Sequence, residues 1–312
     1  MAYVPGELKP FYGKKETVYG QTPTASLDFL GEAIDATLKI DPHQTKDTWS
    51  DSRAYAPKSC VFEDEQAALQ LSAQMHASTA GYDWRDGLVE MALGAMTGTS
   101  PLGRLPSYSL LVELTQGSNV GQYLFNGCKV KNLTIDVPNQ GARPTFAAEV
   151  WARHARKVGA DRVVTGLQSL TLGANEAVPT SAILQWKAPM TLVAGSSRTI
   201  YPQSWKLKVE NNLQREQGGI TGADSQNYAV ARALHEGKLD IDFECDLYLE
   251  DLVIVDEMLA NQAITSLSTS IGGNTLTLSN GHYKVDSGSW PTFRQDVLKH
   301  TVKLMFTGVS IA

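Results

Sequence analysis

Four acidic residues recur at every second position in the segment LDIDFECDLYL, and their spacing suggests a site for chemistry. Asp240, Asp242, Glu244 and Asp246 would project from one face of a strand at intervals of about 6.6 Å. Such a row could bind a divalent cation or supply a pair of catalytic carboxyl groups. Catalysis needs one carboxyl group whose pKa is raised by desolvation, and no His or Asn stands beside these acids. We therefore interpret the row as a solvated strand face.

A second candidate is the basic cluster formed by Arg153, His154, Arg156 and Lys157, which could bind phosphate. No aromatic residues alternate with it and it follows a predicted strand, so we interpret it as a solvated or interface patch. The sequence contains no phosphate-binding loop, dinucleotide fingerprint, H-E-x-x-H or G-x-S-x-G motif. We expect no cofactor, no metal and no enzymatic activity.

Composition is that of a soluble globular protein, with 312 residues, 42% of them hydrophobic and 19% charged. A net charge of -6 argues against tight binding of nucleic acid, which depends on clustered Lys and Arg. Cys60, Cys128 and Cys245 are too far apart for a C-x-x-C motif and are expected to be reduced. No apolar run approaches the ~20 residues that span a bilayer, and the first residues lack the apolar block of a signal peptide. We expect a protein that is kept in the cytoplasm.

The elements that would position these side chains are mostly strands. Residues 123–153 alternate between apolar and polar on both sides of a turn, which predicts a β-hairpin with one buried face. The apolar register shifts by one residue between Val130 and Leu133, which predicts a β-bulge there.

The same order of elements occurs twice along the chain. In the first half, a strand at 36–40, a polar stretch at 41–65, a strand at 66–76 and a helix containing Leu88, Met91 and Ala92 follow one another. In the second half, a strand at 205–210, a polar stretch at 211–236, the acidic strand at 239–249 and a helix with Leu252, Val255 and Leu259 on one face repeat that order. Closing strands at 274–285 and 297–308 follow, with a hairpin turn predicted at residues 279–281.

The pattern predicts a mainly β fold of the α+β type with two tandem domains, each with a flanking helix. We expect a first domain at 36–157 and a second at 201–312. Residues 1–35 show little periodicity and are predicted to form an N-terminal arm that supplies no core. Residues 158–200 are predicted to form a connector or a peripheral β arm.

Several phrases resemble the major tail tube proteins of long-tailed (siphovirus-like) bacteriophages. They are ETVYGQTP near the N-terminus, FNGCKVKNLTIDV, WKLKVENNL and LYLEDLVIVDEML. The resemblance extends over roughly residues 16–308. It implies two tail-tube-type β-sandwich domains, rings of sixfold or pseudo-sixfold symmetry, and stacking of the rings into a tube through which DNA is ejected. Six domains per ring would come from three chains if both halves are tube domains, and from six chains if only one half is.

The resemblance also implies site residues and partners. Candidate lumen-facing residues are Gln70, Ser72, Gln74, Asp240, Asp242, Glu244 and Asp246. Candidate ring-stacking residues lie in the two polar stretches and are Asp47, Trp49, Asp51, Gly218, Gly219, Thr221 and Gly222. Expected partners are further copies of the chain, the tape measure, tail terminator and distal tail proteins, and passing double-stranded DNA without specific binding. No membrane is expected, and the location is the virion tail after assembly in the host cytoplasm.

Three alternatives stay open. The acidic strand could face outer solvent or basic residues of a neighbouring subunit instead of the lumen. The chain could be a tail terminator or another ring-forming tail or baseplate protein of related fold, which would stop at a single ring. It could also be an enzyme with a β-rich fold, for which an apolar pocket with converging polar groups would be the sign.

Overall fold

Strands dominate the computed structural model of the chain, as the alternating patterns predict. The structure describes residues 9–21, 23, 26–47, 59–76, 85, 87–94, 105–116, 119–138, 143–158, 172, 188–216, 233–248, 253–284 and 299–311. The prediction of a mainly β fold is confirmed.

The elements of the first half are β1 (Lys9–Lys15), β2 (Asp28–Asp47), β3 (Ser59–Gln74), α1 (Leu88–Leu93), β4 (Tyr108–Gln116), β5 (Asn119–Val137), β6 (Thr145–Ala152) and β7 (His154–Val158). Those of the second half are β8 (Met190–Ala194), β9 (Ser196–Ile200), β10 (Pro202–Glu210), β11 (Gln214–Glu216), β12 (Ala233–His235), β13 (Asp240–Tyr248), α2 (Val253–Leu259), β14 (Ile264–Ile271), β15 (Asn274–Tyr283) and β16 (Lys299–Ile311). Fourteen strands form one antiparallel sheet, and β11 pairs with β12 in a separate two-stranded sheet.

The strands of the first half form a closed sheet. Pairing runs in the order β1, β2, β3, β6, β5 and β4, and β4 pairs in turn with β1. The inward side chains of the predicted hairpin, from Cys128 and Val130 to Val150 and Ala152, are all buried in the main core. The predicted bulge is confirmed, because the register between β5 and β6 shifts between Val130 and Asn132.

The second half repeats this order of strands. Pairing runs from β10 through β13, β16, β15 and β14 to β8, and β9 pairs with β8 and precedes β10 in the chain. The counterparts of β1, β2, β3, α1, β4, β5 and β6 are β8, β10, β13, α2, β14, β15 and β16. With this correspondence, the strands from β10 to β8 follow one another in the sheet in the same order as the strands from β2 to β1. Both helices lie between the third and fourth strands of their repeat.

Strand β5 joins the two halves. One of its edges pairs with β6 and β7. Its other edge pairs with β4 as far as Cys128 and then, from Asn132 to Val137, with β10 of the second half. The sheet therefore continues without a break from one half into the other.

The N-terminal residues contribute to the core, so the expectation that they supply none is wrong for their described part. Strand β1 lies between β2 and β4. Phe11 packs into the main core, while the next residue, Tyr12, packs with Leu27, Leu111 and Leu124 in a second cluster on the opposite face. Because both faces of β1 are buried, its sequence has no apolar alternation that would reveal a strand.

The two polar stretches are paired at their bases, although long loops were predicted. Strands β2 and β3 continue to pair through Asp47 and Ser59, so much of 41–65 is a β-ladder. In the second half, β11 and β12 pair within 211–236. The polar composition of both stretches, which shows no apolar alternation, concealed these ladders.

The predicted turn at residues 279–281 is also wrong. Strand β15 continues through these residues, with Ser279 opposite Gly308 and Gly281 opposite Phe306. The turn lies instead at Gly272 and Gly273, which join β14 to β15 with positive φ angles of 57° and 91°. Gly281 is needed for another reason, since a Cβ atom there would lie 2.5 Å from the Phe306 ring.

Helix α2 has a different buried face from the one predicted. Ile254 and Met258 are buried, whereas Leu259, which we predicted to face the core, is 63% exposed. The rotation follows from Glu257, whose carboxylate accepts hydrogen bonds from Arg198 of β9 and from the Tyr283 hydroxyl of β15 at 2.8 Å. This ion pair turns the Ile254 and Met258 face inward. In α1, Leu88, Met91 and Ala92 are buried as predicted.

Candidate assembly surfaces

Both polar stretches leave the sheet at the same end. Strands β2, β6 and β10 run in one direction and β3, β5 and β13 in the other, because every pairing between them is antiparallel. The connections from β2 to β3 and from β10 to β13 must therefore lie at one end of the sheet. A hydrogen bond of 3.2 Å from Arg215 of β11 to the carbonyl of Ala67 brings the bases of the two excursions together.

Of the candidate ring-stacking residues, the structure describes only the backbone of Asp47, which ends β2 opposite Ser59. The other predicted stacking positions lie outside the described residues: Trp49, Asp51, Gly218, Gly219, Thr221 and Gly222.

Cationic side chains attach the base of the second excursion to the first half. The Lys129 ammonium donates to the Leu234 carbonyl at 3.0 Å and forms an ion pair with Glu236. The Arg215 guanidinium lies over the Trp151 ring, 5.3 Å from its centroid. Leu234 is buried, so the β11–β12 ladder packs as part of the molecule.

A turn after β1, formed by residues 16–21 of the segment ETVYGQTP, anchors the same region. Glu16 is buried, and its carboxylate accepts hydrogen bonds from the Gly127 amide at 2.8 Å, the Gly20 amide at 2.7 Å and the Ser109 hydroxyl at 2.8 Å. Tyr19 of this turn lies against the cations of Lys129 and Arg153. Burial raises the pKa of the Tyr19 hydroxyl well above its usual range.

The predicted lumen-facing residues of both halves share one face of the sheet. A row of directly opposed residues crosses five strands from Gln70 through Glu149, Asn132 and Glu210 to Asp240. The next row runs from Ser72 to Asp242 and the third from Gln74 to Glu244. The opposite face carries the core, with Ile241, Phe243, Cys245 and Leu247 buried as the alternation predicts.

Lysines accompany the acidic row. Glu244 lies opposite Lys206 of β10 and Lys303 of β16, and Asp242 lies opposite Lys208. The Lys284 ammonium is 3.5 Å from the Asp242 carboxylate. The acids therefore face basic residues of the same chain, which sequence reasoning did not foresee.

The two ends of the acidic row have specific partners. The Asp240 carboxylate contacts the Lys238 ammonium at 3.1 Å and accepts a hydrogen bond from Asn212 at 2.9 Å. The Lys238 hydrogen bond, aided by Asn212, lowers the pKa of Asp240. Asp246 accepts hydrogen bonds from Ser204 at 3.1 Å and Thr301 at 2.6 Å. A lowered pKa at Asp240 is the opposite of what a general acid requires.

The basic cluster is divided by the strand geometry. His154 is buried and Lys157 is exposed, while Arg153 packs against Tyr19 and the backbone of Gly20 and Gly127. Within the described residues, no group of three or more His, Cys, Asp and Glu side chains could hold a metal ion. Cys128 and Cys245 are buried free thiols, and burial raises the pKa of both. Neither helix of the described part is long and apolar enough to cross a membrane.

Sequence reasoning missed the residues that join the halves and those of the turn beside them. Lys129 and Trp151 of the first half contact Glu236 and Arg215 of the second, and Glu16 holds the adjacent turn. These residues stand singly in the sequence and come together only through the pairing of the strands. The sequence contained one indication of this region, because Glu16 and Tyr19 belong to ETVYGQTP, a segment that resembles the tail tube proteins.

The described structure thus combines a closed antiparallel sheet, a second half that repeats its order of strands, and two excursions that leave the sheet at one end. A family model described as phage tail tube protein matches residues 8–292, and the chain belongs to this family. The family consists of structural proteins of the bacteriophage virion tail. A search of curated proteins found no match.

Proposed function

We propose that three copies of this chain form a ring of six similar domains and that these rings stack into the tail tube through which DNA is ejected. One observation carries the proposal: the two halves repeat a single order of strands and lie side by side in one sheet. A junction between two similar domains is already present within the chain. A head-to-tail junction repeated between chains closes a ring when its rotation returns to the starting domain, and we propose that six domains complete this turn.

The subunit count tests the duplication. Native mass spectrometry of a single ring should give three subunits, because each chain would supply two of the six domains. Six subunits would contradict the proposal, since each chain would then contribute one tube domain and one accessory domain.

Ring stacking is assigned to the end of the sheet where both excursions leave it. Deletion of residues 218–222 should give rings that form normally but do not elongate, because the base at β11 and β12 remains while the segment between them is shortened. Negative-stain electron microscopy of purified protein at high concentration measures tube length. Tubes of normal length from this variant would contradict the assignment.

The same images separate the tube protein from the alternative of a tail terminator or baseplate ring. A tube protein polymerises into long stacks, whereas the alternatives stop at one ring. In the proposed role the chain is not an enzyme, assembles in the host cytoplasm, and contacts the tape measure, tail terminator and distal tail proteins. It lets double-stranded DNA pass without specific binding and requires no membrane.

A further inference from the structure

Asn211 follows the last residue of β10 and is buried where the two halves meet. Its side-chain NH₂ group donates two hydrogen bonds to the first half, one to the Ala92 carbonyl of α1 at 3.0 Å and one to the Val130 carbonyl of β5 at 2.8 Å. Its backbone N–H donates to the Lys131 carbonyl at 2.8 Å. One residue of the second half thus binds both a helix and a strand of the first half.

Both acceptors of the side chain lie where the regular hydrogen bonding of their elements is interrupted. Ala92 is in the last turn of α1, where carbonyl groups have no amide partner within the helix. Val130 borders the bulge of β5 and the gap between its partners β4 and β10. An amide side chain satisfies both carbonyls because its nitrogen carries two hydrogens. A carboxylate of the same shape would have neither donor.

The bond to α1 restrains a motion that strand pairing alone permits. Residues 205–210 of β10 pair with β5 in a single ladder, the β5–β10 junction. Rotation about this ladder would change the angle between the halves while the strands stay paired, since the twist between adjacent strands varies. Helix α1 is not part of the sheet, so a bond to its last turn fixes the rotation. Lys129 and Arg215 also cross between the halves, but they hold the separate β11–β12 ladder.

We infer that Asn211 is a positioning residue that fixes the angle between the two halves, and that closure of the ring depends on it. The inference rests on the proposed ring, in which this junction occurs once in every chain. An error in its angle is repeated at every subunit, so that three chains no longer return to the starting domain.

The next residue, Asn212, provides a matched control. Its side-chain NH₂ group also donates two hydrogen bonds, to the Lys238 carbonyl at 2.7 Å and to the Asp240 carboxylate at 2.9 Å. Both acceptors belong to the second half. Substitution of Asn212 therefore removes the same kind of bonds at the same end of β10 without releasing the first half.

Distances between spin labels on the monomer test the positioning directly. Labels at Lys157 of the first half and Leu259 of the second, both exposed, report the angle between the halves. Asn211→Asp keeps the shape of the side chain but removes both donors, so the distance distribution should broaden or shift from that of the wild type. Asn212→Asp should leave the distribution unchanged. A wild-type distribution for Asn211→Asp would overturn the inference, as would equal changes in the two variants.

Ring formation provides a second readout, measured by native mass spectrometry. Asn211→Asp should require at least about tenfold more protein than the wild type to give the same fraction of three-subunit rings. Asn212→Asp should form rings at the wild-type concentration. Asn211→Ser, which keeps one donor, replaces Asn211→Asp in both experiments if the buried charge prevents folding.

The failure of this inference and that of the ring proposal are distinguishable. Rings formed at the wild-type concentration by a folded Asn211 variant would overturn the inference and leave the ring proposal intact. If the wild type itself forms no rings, the ring proposal fails, and the spin-label distances still decide whether Asn211 fixes the angle.

Discussion

Glu16 shows how one buried side chain can fix several segments. Its carboxylate accepts hydrogen bonds from the amide of Gly20 in the same turn and, from distant parts of the sequence, from the Ser109 hydroxyl and the Gly127 amide. Asn126 extends the network by donating to Ser109 at 2.9 Å. The turn after β1 is thereby tied to β4 and β5, near the contact between the two halves.

Replacing Glu16 with Gln should destabilise the chain by about 2 kcal/mol, because an amide NH₂ would replace an acceptor and leave a buried N–H without a partner. Urea unfolding measures the change as a lower midpoint at an unchanged slope. Glu210→Gln, at a half-exposed position, is the control and should change stability by less than about 0.5 kcal/mol. Equal effects of the two substitutions would show that the network does not stabilise the fold.

At the scale of elements, helix α2 is positioned by one polar contact as much as by apolar burial. Its sequence, VIVDEML, has apolar residues on several faces, so spacing alone does not choose among them. Glu257 makes the choice because its carboxylate is held between Arg198 and Tyr283. Burial together with the Glu257 hydrogen bond raises the pKa of the Tyr283 hydroxyl, which therefore stays a donor.

Two neighbouring substitutions distinguish the observed face from the predicted one. Met258→Ala removes a buried side chain and should cost about 2–4 kcal/mol in the free energy of unfolding. Leu259→Ala removes an exposed side chain and should cost less than about 0.5 kcal/mol. Chemical denaturation of both variants measures the difference. A larger loss for Leu259→Ala would mean that the helix has the rotation that its sequence suggested.

Elements with one buried face were the ones that the sequence predicted well. Strand β13 alternates without error because its core face and polar face are distinct. The sequence failed for β1, which is buried on both faces, and for the ladder beyond Ile40 in β2, where the polar sequence shows no apolar alternation. The lysines opposite the acids could not be predicted either, since they depend on the register between strands distant in the chain.

At the scale of the whole molecule, the polar face carries charges of both signs. Glu149 and Asp136 on the first half and Lys206, Lys208 and Lys303 beside the acidic row all lie on it. If this face lines the proposed lumen, the acids offset the lysines instead of forming a purely repulsive wall. Opposite charges across neighbouring strands also stabilise the sheet, by roughly 0.2–1 kcal/mol per pair.

Neutralising the acids should make the proposed lumen retain DNA. The triple variant Asp240→Asn, Asp242→Asn and Glu244→Gln leaves the adjacent lysines without counter-charges, so ejection should slow, and more so at low salt. The matched control is Lys206→Gln, Lys208→Gln and Lys303→Gln, which should eject at or above the normal rate. Ejection rates of assembled particles measure both. Normal, salt-independent ejection by the acid-neutralised variant would place this face elsewhere than the lumen.

The β5–β10 junction has a consequence for the kinetics of assembly. In the proposed ring, every second contact between domains is made when a chain folds and needs no collision. Ring formation from subunits then depends on about the third power of protein concentration, where six separate domains would give about the sixth. A fused pair therefore keeps rings forming at dilutions where unlinked domains would stay apart. It also fixes the order of the domains around the ring, because each first-half domain is joined to the second-half domain of its own chain. No ring can then close with two first-half domains or two second-half domains side by side.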